Sequence, residues 1–173
     1  MKNSNEDDRT DYSDYRLKLD NAGGFGEVYE IVKETARHSL GKHRVGMMLY
    51  LDDLPLQVGA YHLVGTNSIV MNRALLRIVE ATASSKQLVN AFVYTILLHE
   101  YLHALGYMQE PTVRTLVQQV SVDCFGEDHP ASRLAMMGPW SLLRGAPLNE
   151  VEAPKRVMEI VKDFERSNQS YIS

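Results

Sequence analysis

The residues best suited to chemistry lie in HEYLHALGYMQE, residues 99–110. His99 and His103 are four apart, so on a helix they share one face, about 6 Å apart along the axis, and each can offer an imidazole nitrogen to one metal ion. Glu100 projects beside that pair. Its carboxylate can take the proton of a water that the ion activates, because zinc lowers the pKa of water toward ~7. This spacing therefore points to metal-assisted hydrolysis, with Zn2+ as cofactor and Glu100 as general base. On a buried helix the same side chains would be left unpaired without an ion or a partner.

Periodicity predicts the elements that must hold such a site. Ser84 and Ser85 are good N-caps, and from Lys86 the apolar residues through Leu105 cover most of a helix surface, which predicts a long, central, largely buried helix. Gly106 suits its left-handed end, and Pro111 suits the first turn of a following helix, Thr112 to about Phe125, before Gly126. Upstream, Phe25, Val28, Tyr29, Val32 and Ala36 predict an amphipathic helix from Phe25 to Leu40, with Gly41 as its stop. Arg44 to Leu51 alternates like a strand. The segment from Gly59 to Asn72 reads as a second strand or hairpin turning at Gly65-Thr66-Asn67, followed by a helix from near Ala74. A short element near Ser132–Met137 and a last helix from about Pro154 to Arg166 close the chain. Residues 1–20, polar and mostly charged, read as a flexible N-terminal tail, and residues 21–173 as one α+β domain with a small sheet.

In this setting HEYLHALG resembles HExxHxxG, the start of the metzincin signature among the zincin metallopeptidases. The likeness covers roughly Tyr61 to Trp140 in layout: an edge-strand-like segment ending in NSIVMN, the active-site helix and a backing helix. It implies a zincin-like fold, in which a small mixed sheet packs on a buried active-site helix and a backing helix, and it implies hydrolysis of peptide bonds. In metzincins a histidine three positions after the glycine completes the metal site. Here that position is Gln109, whose neutral amide is a poor zinc ligand. Three residues are candidates for the missing ligand. His129, in FGEDHPAS, is favoured because histidine is a common zinc ligand and a His-Pro step fixes the local backbone. Glu110 is anionic and one place beyond the metzincin position, where it can equally serve the start of the next helix. Asp123 lies at a separation from His103 similar to that of the third carboxylate in the gluzincin branch. Met136 and Met137 are candidates for a methionine turn below the metal, and Tyr61, His62 or Tyr107 for stabilising an oxyanion. His38 and His43 read as surface residues.

Composition limits the alternatives. The 173 residues are 45% hydrophobic and 23% charged, with a net charge of -4, so no basic stripe suits nucleic acid. The single cysteine, Cys124, excludes an intramolecular disulfide, and MKNSNEDDRTDYSDY has no apolar run resembling a signal peptide. Asn90, His99, Glu100 and His103 interrupt the most apolar stretch, which predicts no membrane span and a cytoplasmic protein. NAGGFGEVYEI looks like a kinase glycine-rich loop, but the strand lysine, HRD and DFG motifs of that fold are missing from the sequence. The leading expectation is a zinc-dependent metallopeptidase acting on a peptide or protein substrate. The competing ones are a zincin-like protein that binds metal or a partner without proteolysis, and a metal-dependent hydrolase of a small amide. The sequence leaves the oligomeric state open.

Overall fold

The computed structural model describes residues 12–146 and 157–165. Their elements are α1 (Tyr12–Asp20), α2 (Phe25–Leu40), β1 (Met48–Asp52), β2 (Ala60–His62), β3 (Ser68–Asn72), α3 (Arg73–Thr82), α4 (Lys86–Ala104), α5 (Glu110–Phe125), α6 (Pro130–Met137), a 3-10 turn (Pro139–Leu143) and β4 (Glu159–Ile160). The sheet runs β2-β3-β1-β4, with β1 parallel to β3 and the two outer strands antiparallel to their neighbours. This is an α+β arrangement with a small mixed sheet, as the sequence predicts.

The core forms around α4 because its sequence is apolar on every side. Tyr94, Leu97, Leu98, Tyr101 and Leu102 are fully buried, and α1, α2, α5, α6 and β2 all pack against the helix. Ser85 Oγ accepts from the Leu88 N–H and fixes where α4 begins. Alternation in the sheet turns Leu49 and Leu51 of β1 and Ile69 and Met71 of β3 into this core. Asn72 locks the approach to β2. Its side-chain oxygen accepts from the Ala74 and Leu75 N–H groups at the start of α3, and its amide nitrogen donates to the carbonyls of Leu54, Pro55 and Val58.

Two expectations are corrected. Residues 12–20 are not a loose tail but helix α1, with Leu19 fully buried and its carbonyl, like that of Ala22, accepting from Asn90 of α4. Arg16 adds bonds to the Phe125 carbonyl at 2.6 Å and to Asp128 at 2.8 Å. Residues 1–11 lie outside the described residues. The last helix is likewise not found over residues 157–165, where the chain instead forms β4 against β1 and then a turn. Val157, which the helical reading would bury, is 88% exposed, while Phe164 stacks on Tyr29 with ring centroids 4.2 Å apart. Residues 154–156 and 166 of that expected helix lie outside the described residues. Strand β1 also starts late, at Met48, because the Arg44 N–H and carbonyl are spent on the Tyr101 hydroxyl.

Candidate metal centre

His99 and His103 project together from the last turns of α4, their ring centroids 5.0 Å apart. Just past the helix the chain reverses at Gly106, whose φ of 103° disfavours any residue with a side chain. That reversal returns the Tyr107 carbonyl to His103, which donates from Nδ1 at 2.8 Å. Three residues later Glu110 opens α5. Its Oε1 lies 2.9 Å from His103 Nε2 and its Oε2 lies 3.1 Å from His99 Nε2. One ligand atom from each of His99, His103 and Glu110 falls within 4.8 Å of the others, and among the described residues no other group of three His, Cys, Asp or Glu side chains does so.

The donor set fits a zinc ion. A carbonyl oxygen only accepts, so Tyr107 fixes a proton on Nδ1 of His103 and leaves the Nε2 lone pair facing a carboxylate. Acceptors on both sides of one imidazole call for a proton between Nε2 and the carboxylate or for a metal ion. His99 faces the same carboxylate, and burial is the largest influence on its pKa, lowering it; the Glu110 charge opposes this, while His103 and Arg114 add to it. The net shift disfavours a second proton on His99. One divalent ion satisfies both imidazoles and the carboxylate together. Two imidazole nitrogens and a carboxylate oxygen are a catalytic zinc set, and a ligating histidine held through its other nitrogen by a carbonyl is the usual support for one.

Glu100 faces elsewhere. It is 7% exposed, and the backbone N–H of His62 donates to its carboxylate. Burial pushes its pKa up to about 7, with Glu110 adding to the rise and His103 and the His62 N–H opposing it. The same bond reveals the free edge of β2. Gly59 accepts from the Asn72 N–H and Leu63 donates to Ser68, so by alternation the intervening Ala60 and His62 turn their backbone groups away from β3 and toward α4. Close approach holds the strand there, since a Cβ on Gly59 would lie 2.9 Å from Ile96 Cδ1. Arg44 braces the other end of β2. Its guanidinium donates to Ala104 O at 2.8 Å, Thr66 O at 3.1 Å and Asn67 Oδ1 at 2.5 Å, tying the end of α4 to the β2–β3 turn.

Of the residues expected at the site, His99, His103 and Glu110 come together, and Glu100 is buried beside them on the β2 side. His129, the favoured third ligand, does not. It caps α6, where Nδ1 accepts from the Ala131 N–H at 3.2 Å and Nε2–H donates to Asp20 at 3.0 Å, and its ring stacks on Phe125. Both nitrogens are spent, and the ring lies outside the metal group. Asp123 also lies outside it, exposed and accepting from Ser39 Oγ at 2.6 Å. Met136 and Met137 are 60% and 58% exposed at the end of α6. His62 donates from Nδ1 to the Ser68 carbonyl, and Tyr107 carries the Lys42 ammonium 4.3 Å from its ring centroid. His38 and His43 are exposed. Two contributors escaped the sequence reading: the Tyr107 carbonyl, which has no side-chain signal, and Arg44, whose acceptors come from two distant segments.

Comparison of the chain with known protein families, with curated proteins and with solved structures finds no match. Among the described residues, no helix is long and apolar enough to cross a membrane.

Proposed function

We propose that this chain is a zinc-dependent metallopeptidase of zincin-like fold, in which His99, His103 and Glu110 hold the ion and Glu100 carries the proton. The observation that supports this most is the placement of one carboxylate, Glu110, across the Nε2 atoms of two helical histidines, with a second, buried carboxylate beside an open sheet edge. A purely structural zinc site is normally closed by four protein ligands, whereas three converge here among the described residues. The order of edge strand, metal helix and backing helix supports the zincin-like reading.

Zinc bound at this site supplies Lewis acidity, polarising a substrate carbonyl and lowering the pKa of water toward ~7. The chain's own groups do the rest. Tyr107 holds His103 in the tautomer that presents Nε2. The backbone groups of Ala60 and the His62 carbonyl, which β3 does not use, offer an extended peptide a place to add at the edge strand, the His62 N–H being held by Glu100. Glu100 takes the proton of the attacking water and returns it to the leaving amide nitrogen. Burial suits it to both tasks, because a carboxyl poised near neutrality gains and loses a proton with little cost.

Glu100→Gln tests this reading. The variant should keep its zinc and lose peptide hydrolysis by ~10²- to 10⁴-fold or more, because an amide cannot accept the proton. Zinc-loaded wild type is assayed on a diverse peptide library beside the variant. Equal activity in the two would mean that another group is the base, and an inert wild type with full zinc would favour the non-proteolytic metal-binding alternative.

A further inference from the structure

Arg114 follows Glu110 by four residues on α5, the spacing at which a glutamate ordinarily pairs with an arginine along a helix. That pairing is not made. Both Glu110 oxygens are directed at His99 and His103, and Arg114 has no hydrogen bond or ion pair among the described residues. Nor does it lie on the face of α5 that enters the core, which is formed by Val113, Val117, Val120 and Cys124. The guanidinium is exposed and, four residues on, lies on the same side of the helix as Glu110. A cation with a fork of N–H donors, unpaired among the described residues, therefore stands one helical turn from Glu110. Glu100 cannot neutralise it, because that carboxylate is buried on the β2 side. A guanidinium fork matches a carboxylate in shape as well as charge, and a peptide substrate carries carboxylates.

We propose that Arg114 is a substrate-binding residue that anchors a carboxylate close to the scissile amide, either the terminal carboxylate of a short peptide or an acidic side chain. This rests on the metal-centre reading. It narrows the substrate class from peptides in general to those bearing a negative charge near the bond that is cut. Because Arg114 packs on nothing in the core, its replacement leaves the fold and the metal ligands in place.

The test uses two small hydroxamates titrated calorimetrically into zinc-loaded protein: succinic acid monohydroxamate, which carries a carboxylate, and butyrohydroxamate, which does not. Wild type should bind the charged probe roughly tenfold more tightly, and this preference should fade as salt rises. Arg114→Gln should bind the two alike with unchanged zinc content. If butyrohydroxamate binds but wild type shows no preference, or the preference survives in Arg114→Gln, the anchor is wrong while the metal centre stands. If zinc is not retained, or neither hydroxamate binds, the metal-centre reading fails and the anchor with it. Coupling the succinyl hydroxamate to alanine, with a free terminal carboxylate, or to aspartic acid α-amide, with only a side-chain carboxylate, separates the two sources. A gain that depends on Arg114 for either conjugate upholds the anchor and names its source, and no gain for both overturns it.

Discussion

His103 and His129 each have both ring nitrogens engaged, with opposite consequences. His103 meets an acceptor on each side and so calls for a proton between Nε2 and the carboxylate or for a metal ion, whereas His129 meets one donor, the Ala131 N–H, and one acceptor, Asp20. Neutral His129 satisfies both partners. A proton on Nδ1 would remove the cap of α6, and burial lowers the pKa below 6.5 although Asp20 pulls the other way. With the folded value depressed, the unfolded chain takes up the proton first as the pH falls. The stability owed to neutral His129 is therefore full above about 6.5 and is lost as the pH drops from there toward the folded value. His129→Ala should cost about 1–2 kcal/mol at pH 7.5 through the lost cap, and the gap from wild type should narrow at pH 5.5. Urea titrations at the two pH values check this, and a gap that widens in acid contradicts it. The sequence favoured His129 as a ligand because residue type alone makes it the best donor. What disqualifies it is a contact with Asp20 across 109 positions, which no local pattern reveals.

Helix α2 was readable in full because its apolar residues recur at three- and four-residue steps and Gly41 ends it in the left-handed conformation, donating to the Arg37 carbonyl. Helix α1 was not, because one buried residue, Leu19, gives no periodicity, and its hold on the core comes from Asn90 and Phe125 far along the chain. The stretch from Val157 to Phe164 misled in the other direction. Val157, Met158, Val161 and Phe164 are spaced like a helix face, yet Phe164 alone of these is buried. The segment is held by long-range contacts instead: Phe164 on Tyr29, and the Glu165 carboxylate on the Lys33 ammonium at 2.9 Å and the Met47 N–H at 2.6 Å. If the segment belongs to the core as these contacts imply, Phe164→Ala should destabilise the protein by about 3–5 kcal/mol. Chemical denaturation at fixed pH measures it, and a loss below about 1 kcal/mol would mean that the segment is only loosely docked.

The site as a unit joins two kinds of information. His99, Glu100 and His103 could be read from sequence because one helix fixes their relation, whatever surrounds it. The third member of the proposed site depends on how the chain leaves that helix, and the reversal at Gly106 with the Tyr107 carbonyl on His103 brings in Glu110 rather than the residue at the metzincin position, Gln109. An acidic residue just before Pro111 was a usable signal, but it is also what a helix N-terminus favours on its own. The brace by Arg44 and the close approach of Gly59 to Ile96 then set β2 beside the metal helix. The central claim is that Glu110 completes the metal site, and zinc affinity measured by chelator competition at pH 7.5 on wild type, Glu110→Ala and His129→Ala tests it most directly. Wild type should hold about one zinc per chain, Glu110→Ala should bind more than ~100-fold more weakly, and His129→Ala should bind like wild type. Wild-type affinity in Glu110→Ala, with loss of zinc in His129→Ala, would contradict the account.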